Sequence, residues 1–319
     1  MSSRLRISIV IISFTEKRLN NLRSLFESIN IQSHSDLEVI VVVERNEIIY
    51  RFASDYSSRF PKSVILVKEK AGVSRARNIG IASSKGDVIA FVDDDAILAP
   101  DWSEELVQAF ALHECAVGVT GRSLPRWTGT SCNFFPKSLY WMIGCTEWKD
   151  SDSEYYTNFA TGVNMAFRKE AFATHKFELD IHYNASRTSV YKGLPNDEND
   201  FAVRLTTELG RPIIYNPKLT VLHQVAPERI SISFVRKYAF WQGLAEARYN
   251  SRSSWRMVRS NSYKRLVHVL LADFFDARLG VRDFIKRLKF LAEALTFLGL
   301  GYAAYKNARI LRALESRVR

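Results

Sequence analysis

The chain has 319 residues, 47% hydrophobic and 25% charged, with a formal net charge of +11 at pH 7, which predicts one large globular domain or two smaller ones. Its three cysteines are odd in number and lack the spacing of a metal site, which excludes a disulfide framework and predicts reduced thiols in the cytoplasm. The basic start runs directly into folded-looking sequence without a small-residue cleavage site, so no signal peptide is predicted.

The positive charge is concentrated in the last part of the chain. Residues 251–319 contain 15 Lys and Arg against 5 Asp and Glu, so they carry +10 of the total and residues 1–250 carry +1. A basic region of this kind can serve nucleic acid or an anionic membrane surface.

The first segments alternate between strand-like and helix-like patterns. The β-branched run Ile7–Ser13 predicts a strand, and apolar residues at helical spacing predict a helix over Leu19–Ile29. Further strands are predicted over Leu37–Val43 and residues 64–67. This βαβαβ order predicts a parallel sheet with crossover helices.

The next segments are a helix and an acidic strand end. Gly72–Gly80 enters a helix with Arg77 in its first turns, and a helix N-terminus with arginine is a good anion site. The apolar run Val88–Val92 predicts a buried strand that ends in three consecutive aspartates, 93–95. Open α/β sheets bind ligands at this edge, and clustered carboxylates suit a divalent cation that holds phosphate. A solvated acidic turn would explain the triplet equally well if it stood alone.

Four segments, taken in order, resemble the nucleotide-sugar-binding half of family 2 glycosyltransferases: Ile7–Ser13, the strand ending at Glu44, Gly72–Asn78 and Phe91–Ala96. The resemblance covers residues 7–102. It implies an α/β GT-A fold, Rossmann-like, with a mostly parallel central sheet flanked by helices. Residues 1–228 are then the glycosyltransferase domain, divided into a nucleotide-sugar-binding half (1–102) and an acceptor half (103–228), and residues 229–319 are a basic, amphipathic helical region.

The resemblance implies roles for residues of the donor half. Asp95 corresponds to the ligand of Mn²⁺ or Mg²⁺ in the family's Asp-x-Asp motif, Asp93 to its ribose contact, and Asp94 lies between them. The other implied donor contacts are Ser13 and Thr15, which cradle base and ribose, and Arg77 and Asn78 near the nucleotide. Relatives usually have an Asp-Asp pair where this chain has Glu44-Arg45, so Glu44 is a donor contact with a longer reach.

The acceptor half carries two more segments of the family pattern. Thr161–Phe172 resembles the strand beneath the acceptor site and places Gly162 and Asn164 near the donor sugar. Residues 196–205 resemble the acidic start of the helix that supplies the catalytic base, which makes Glu198 the base and Asp197 the alternative. An acidic helix start is also stabilised by the helix dipole without any catalytic role.

A histidine follows the next apolar segment. Arg211–His223 predicts a strand, a turn at Asn216-Pro217 and a second strand that ends in the histidine. The resemblance makes His223 a further protein ligand of the metal, since an imidazole and two carboxylates form a credible divalent site. A lone histidine is more often structural.

Aromatic and basic segments complete the chain. Residues 127–148 form an aromatic-rich insertion that is part core and part lipid- or sugar-facing. A helix is predicted from Ser233, and the apolar stretch Phe290–Tyr305 is too short to span a bilayer. Amphipathic helices over Leu266–Phe275 and Phe284–Phe297 suit an anionic membrane surface, or else pack as a hairpin or a homo-oligomer interface.

Together these features predict a metal-dependent, inverting hexosyl- or uronosyltransferase. Its donor is a nucleoside diphosphate sugar, UDP-linked, and its acceptor is a membrane-held glycolipid or a glycan, which places it on the cytoplasmic face of the membrane. The aromatic segments resemble archaeal relatives that act on dolichol-linked sugars. Three alternatives stay open: transfer to a polyprenyl phosphate, a catalytically silent nucleotide-sugar-binding scaffold, and a nucleic-acid-binding protein. The last is disfavoured, because it leaves the acidic motif and His223 unused.

Overall fold

The computed structural model describes residues 5–68, 72–129, 132, 134–146, 152–178, 197–249, 285–300 and 302–303. By its internal contacts the chain divides into two compact units. The first comprises Met1–Arg126, Gly144–Gly193 and Asp197–Gln224, and the second comprises Trp127–Ile143, Leu194–Asn196 and Val225–Arg319. The domain boundary after residue 228 stays a prediction, because this division follows contacts alone. The division ends the first unit four residues earlier, and it assigns residues 127–143 of the aromatic insertion to the second unit.

The first unit is built on one mixed sheet, which has nine strands among the described residues. The strands are β1 (Ile7–Ser13), β2 (Leu37–Glu44), β3 (Lys62–Val67), β4 (Val88–Asp93), β5 (Ala96–Leu98), β6 (Gly118–Trp127), β7 (Tyr155–Thr157), β8 (Asn164–Arg168) and β9 (Ile213–Val225). They lie in the order β3-β2-β1-β4-β8-β6-β9-β5, with β7 paired to β9. β1 is parallel to both β2 and β4, and β2 is parallel to β3, whereas β8 joins β4 in antiparallel fashion.

Helices cover this sheet and account for its apolar strands. They are α1 (Leu19–Asn30), α2 (Glu47–Asp55), α3 (Val73–Ser83), α4 (Trp102–Leu112) and α5 (Asp197–Leu209). α1 buries Leu22, Leu25, Phe26 and Ile29, the residues that share one helical face in the sequence. Central strands covered on both sides are mostly apolar, and accordingly seven of the eight residues of β2 are buried, six of them apolar and one the hydrogen-bonded Glu38. The predicted parallel α/β core is confirmed.

The segment before the histidine differs from its prediction. A turn was expected at Asn216-Pro217, yet Ile213–Val225 is one continuous strand. Proline lacks the N–H of a sheet ladder, but β7 pairs with residues 213–215 of β9 and β5 pairs with residues 221–223, so Pro217 lies between the two pairings. The prediction of two strands was wrong because the strand changes partner where the proline stands.

The second unit contains helices and an aromatic cluster. α6 spans Ile232–Tyr249, residues 285–300 are helical, and the described part of the aromatic insertion includes a 3₁₀ helix over Lys137–Ile143. The ring of Phe135 meets that of Phe290 edge-on, with centroids 5.4 Å apart. The insertion therefore contributes core, as predicted for part of it. The predicted helix over Leu266–Phe275 lies outside the described residues. None of the described helices is long and apolar enough to cross a membrane.

Candidate active site

The acidic motif lies at the carboxyl edge of the parallel strands. Because β4 lies beside β1, with Asp93 paired to Ile12, the residues that follow both strands meet at this edge. Asp94 and Asp95 are 1% and 2% exposed, and Asp93 is half-buried. Three buried or half-buried carboxylates cannot be a solvated turn, so that alternative is wrong.

His223 reaches this motif through strand pairing. β5 follows directly after the aspartates and runs antiparallel to β9, which pairs Ala96 with His223. The backbone N–H of Gln224 donates to the carbonyl oxygen of Asp95 over 2.8 Å. The His223 side chain is 1% exposed, and its Nε2 lies 3.0 Å from Oδ1 of Asp95. Residues 128 positions apart are thus held together by the sheet.

Asp93, Asp95 and His223 can act together as metal ligands. Each offers one ligand atom, and these atoms all lie within 4.8 Å of one another. Two carboxylate oxygens and an imidazole nitrogen suit Mn²⁺ and Mg²⁺, with remaining positions for donor oxygens or water. The residues therefore fit a divalent cation. On the other side of the imidazole, Nδ1 lies 4.0 Å from Sγ of Cys145.

Asp94, the middle carboxylate, is bound within the protein. Its Oδ2 accepts from the Ser13 hydroxyl at 2.6 Å and its Oδ1 accepts from Nη1 of Arg18 at 2.7 Å. Burial raises the pKa of Asp94 to about 6, with a contribution from Asp95, although Arg18 and the Ser13 hydrogen bond lower it. Burial by itself lowers the pKa of the Arg18 guanidinium, but Asp95 and Asp94 raise it by more, so Arg18 is charged.

A second cluster lies where α3 and α5 begin. Oδ2 of Asp197 accepts from the Ser74 hydroxyl at 2.9 Å and from Nη1 of Arg77 at 2.7 Å. The same Arg77 nitrogen is 3.8 Å from Oε2 of Glu198. The Arg77 and Asp197 side chains are 6% and 7% exposed, whereas that of Glu198 is 20% exposed. Asp197 is therefore engaged in a buried ion pair, and Glu198 is the carboxylate that solvent or a ligand can reach.

Burial and the neighbouring charges together set the pKa of Glu198. Burial raises the pKa of Glu198 to about 8, the negative charge of Asp197 contributes to the rise, and Arg77 opposes it. Burial lowers the pKa of the Arg77 guanidinium, but Asp197, Glu198 and Asp93 raise it by more. The charge of Asp93 contributes to the raised pKa of Arg77, so the acidic motif lies within electrostatic range of the partner of the α5 carboxylates.

Gly162 lies against this pair, a contact that the sequence did not predict; its expected place near the donor sugar stays a prediction. A Cβ at Gly162 would be 2.9 Å from Nη2 of Arg77 and 3.7 Å from Cδ of Glu198. A side chain there would displace the arginine from the carboxylates. Glycine therefore keeps the ion pair beside Gly162 intact.

The remaining predicted donor contacts include three side chains that are bonded to other parts of the protein. Glu44 accepts from the backbone N–H of Gly72 at 3.0 Å, and Thr15 is half-buried in the turn after β1. The Asn78 side chain bonds both the carbonyl oxygen and the N–H of Phe177. The Asn164 amide accepts from Nε1 of Trp102 and donates to two carbonyl oxygens, those of residues 122 and 219. Both amide hydrogens of Asn164 are used, so a new donation from its nitrogen would replace one of these bonds, whereas Asn78 uses only one of its two.

Two residues of the site, Arg18 and Ser74, have no role that the sequence predicted. Arg18 pairs with a carboxylate 76 positions away, and nothing in the polar turn after β1 marks it as a partner of the acidic motif. Ser74 stands in the same segment as Arg77, and its position at the start of α3, beside the predicted anion site, was a usable signal.

Known proteins similar to this chain include glycosyltransferases and a succinoglycan biosynthesis protein. Residues 8–175 match the profile described as Glycosyl transferase family 2. A glucosyl-dolichyl phosphate glucuronosyltransferase of Haloferax volcanii is 27% identical over 243 residues, 76% of this chain and 76% of that protein. Succinoglycan biosynthesis protein ExoM of Rhizobium meliloti is 24% identical over 271 residues, 80% of each.

One solved structure gives a likeness of fold. The mannosyltransferase PcManGT from Pyrobaculum calidifontis, in complex with GDP-Man and Mn²⁺, has a TM-score of 0.58 at 18% identity and is matched over 98% of this chain and 81% of its own. The predicted GT-A fold and the predicted resemblance to archaeal enzymes of dolichol-linked sugars are confirmed.

Proposed function

The chain belongs to glycosyl transferase family 2, and from that membership we propose that it moves a sugar from a nucleoside diphosphate sugar, UDP-linked, to a hydroxyl of a membrane-held glycolipid or a glycan. One observation carries the proposal: a divalent-cation ligand set and a carboxylate with a raised pKa both lie within electrostatic range of Arg77 at the carboxyl edge of the sheet. A diphosphate leaving group needs the first, and a hydroxyl acceptor needs the second.

The ligand set provides for the leaving group. Asp95 and His223, with Asp93 beside them, would hold Mn²⁺ or Mg²⁺, and the bound ion supplies positive charge where the diphosphate becomes more negative. The protein's part is to fix these side chains before the donor arrives. The strand pairing of β5 with β9 does so, because it sets the distance between Asp95 and His223.

Glu198 acts as the general base. In its deprotonated form it takes the proton of the acceptor hydroxyl while that oxygen attacks the anomeric carbon and the bond to the diphosphate breaks. A single displacement of this kind inverts the configuration at that carbon. Asp197 is the weaker candidate for the base, because its Oδ2 is already bound by Ser74 and Arg77.

Two features favour a hydroxyl acceptor on a lipid carrier: the base and the named substrate of a relative. A polyprenyl phosphate is already ionised and needs no base, so the presence of Glu198 favours a hydroxyl acceptor over the polyprenyl-phosphate alternative. The Haloferax relative is named for transfer of a glucuronosyl group to glucosyl-dolichyl phosphate. A sugar held on a lipid carrier is therefore the acceptor we propose, on the cytoplasmic face of a membrane, with the basic C-terminal region at the anionic surface.

A ligand-protection experiment tests the donor. The protein is incubated with Mn²⁺ and a panel of UDP-, GDP- and dTDP-sugars, and thermal unfolding is followed. We expect one nucleotide class to raise Tm in the presence of Mn²⁺ and much less without it. Absence of protection by every member of the panel would contradict the proposed function.

A substitution tests the base and separates the enzyme from a silent scaffold. Glu198→Gln is expected to keep donor affinity within about twofold and to lower turnover by about 10²–10⁴-fold. Glu208→Gln is the matched control, the same change near the far end of α5. Its carboxylate is exposed and bonds His175, and the variant is expected to keep turnover. A wild-type protein that binds donor but transfers no sugar to any lipid-linked or glycan acceptor would favour the scaffold.

A further inference from the structure

Arg18 occupies a position that the proposed reaction does not yet use. It ends the 3₁₀ turn Glu16–Arg18 directly after β1, and its backbone N–H bonds the carbonyl oxygen of Thr15 at 3.1 Å. The turn directs the side chain toward the acidic motif. Nη1 lies 2.7 Å from Oδ1 of Asp94 and 3.2 Å from Oδ2 of Asp95.

Each of the two buried aspartates has one oxygen beside Arg18 and the other beside a different residue. Both oxygens of Asp94 are bound, one by Ser13 and one by Arg18, so Asp94 anchors the guanidinium. Asp95 has Oδ1 beside His223 and Oδ2 beside Arg18. The cation of Arg18 therefore lies on one side of a candidate metal ligand, and His223 lies on the other.

The Arg18 side chain is held by the carboxylates but is not fully buried. It is 26% exposed, and its Cζ lies 5.8 Å from the ring centroid of Phe14, which is itself 47% exposed. Within the described part of the chain, both carboxylate contacts use Nη1 alone. A guanidinium has five N–H donors in a planar fork, so other donors can turn to a second anion.

We propose that Arg18 is a diphosphate-binding residue, anchored by Asp94 so that the guanidinium and the divalent cation approach the same leaving group from two sides of Asp95. The inference rests on the proposed function and adds a second cation to it. Before the donor binds, the guanidinium offsets part of the negative charge of the three aspartates. When the diphosphate binds, its negative charge offsets the repulsion between the Arg18 guanidinium and the divalent cation, so both can remain bound at the site.

This arrangement has two opposite consequences for binding. Arg18 repels a divalent cation that binds alone, because like charges lie on two sides of Asp95. It attracts the diphosphate through charge-assisted hydrogen bonds. Loss of the positive charge is therefore expected to weaken nucleotide binding without weakening the binding of Mn²⁺ alone.

Calorimetric titration tests the inference on the full-length protein. Mn²⁺ is titrated alone, and UDP and GDP are then titrated at saturating Mn²⁺, into wild type, Arg18→Gln and Arg23→Gln. Arg23 is the matched control: it is an exposed arginine of α1 that also stacks on a phenylalanine, Phe52, at 5.6 Å. We expect Arg18→Gln to bind the preferred nucleotide at least about tenfold more weakly and Mn²⁺ alone as tightly as wild type or more tightly. Arg23→Gln is expected to match wild type in both titrations.

The outcomes separate the two proposals. Unchanged nucleotide affinity in Arg18→Gln, or a parallel loss of Mn²⁺ and nucleotide affinity, overturns the role of Arg18 while the proposed function stands. Arg18→Lys keeps the charge without the planar fork, and it must recover part of the nucleotide affinity if the charge is what matters. Failure of wild type to bind either nucleotide with Mn²⁺ overturns the proposed function, and the role of Arg18 with it.

Discussion

At the scale of single residues, two adjacent carboxylates of α5 differ in almost every property. Asp197 is buried, bonded to Ser74 and paired with Arg77, whereas Glu198 is more exposed and has a pKa of about 8. The sequence predicted that one of them is the base and preferred Glu198. It could not show why, because the preference depends on Ser74 and Arg77, which lie more than 100 positions earlier.

The raised pKa of Glu198 predicts the pH dependence of turnover. A general base works only when deprotonated, so a pKa of about 8 leaves it mostly protonated at neutral pH. We expect kcat to rise as pH increases through about 8, and the rise should be absent from the residual activity of Glu198→Gln. Rates measured from pH 6 to pH 9.5 at saturating donor test this, and a rate that is flat across the range contradicts it.

Substitution of Asp197 is expected to lower the free energy of unfolding, and not only the turnover. Asp197→Asn removes the nearest of the charges that balance the buried Arg77. Breaking a buried ion pair costs up to about 3–5 kcal/mol, and Glu198, 3.8 Å from the same arginine nitrogen, offsets part of that cost. Glu198→Gln, one residue further along α5, leaves this ion pair in place and is expected to cost less than about 1 kcal/mol. Urea unfolding of both variants gives the comparison, and equal losses would contradict the division of roles.

At the scale of elements, continuous apolar strands were the easiest to predict. β1, β2 and β4 begin where the apolar patterns begin and end within one residue of the predicted limits. Local pattern cannot show which strand a segment pairs with, and this is why Asn216-Pro217 looked like a turn. The short strand β5 was not predicted, because three residues are too few to show a periodic pattern.

Gly144, which precedes β7 in the chain, lies against the imidazole of His223. Gly144 has φ of +74°, and a Cβ there would lie 3.0 Å from Cε1 of His223. Gly144→Ala is therefore expected to displace the imidazole and to weaken Mn²⁺ binding by about 10–100-fold, the cost of disturbing the surroundings of a metal ligand. Calorimetric titration with Mn²⁺ measures the effect.

Gly210→Ala is the control for backbone strain. Gly210 has φ of +63°, and a Cβ there would meet nothing within 4 Å. Both alanine variants carry the left-handed backbone cost of about 1–2 kcal/mol, but only Gly144→Ala should bind Mn²⁺ more weakly. Equal Mn²⁺ affinities in the two variants would show that Gly144 does not position His223.

At the scale of the whole molecule, the charge is strongly asymmetric between the two ends of the chain. Residues 251–319 carry a net +10, and residues 1–250 carry +1. Lys286 and Lys289 are exposed on the helical residues 285–300. The sequence predicted this asymmetry fully, because charge is read directly, but it cannot tell a membrane surface from a homo-oligomer interface.

The asymmetry predicts binding to anionic vesicles. The double variant Lys286→Gln with Lys289→Gln is expected to lower sedimentation with phosphatidylserine vesicles, since each basic residue near such a surface contributes about 1 kcal/mol. The pair Lys85→Gln with Lys169→Gln removes the same charge from exposed positions of the first unit and should have little effect. Equal sedimentation of the two double variants, or binding of wild type to neutral vesicles at the same level, would contradict a membrane role for this helix.

The hydrogen bond from the Gln224 N–H to the Asp95 carbonyl oxygen has a thermodynamic consequence. Strand pairing already places Asp95 and His223 within reach of a single ion. Little chain entropy is therefore left for the ion to remove, and we expect the protein to fold without the metal and to gain only the stability that binding adds. Chelation with EDTA should leave circular dichroism unchanged and should reverse fully on return of Mn²⁺. Added Mn²⁺ should raise Tm only by the mass-action amount that its own Kd dictates, unlike in a zinc finger, which unfolds when its metal is withdrawn.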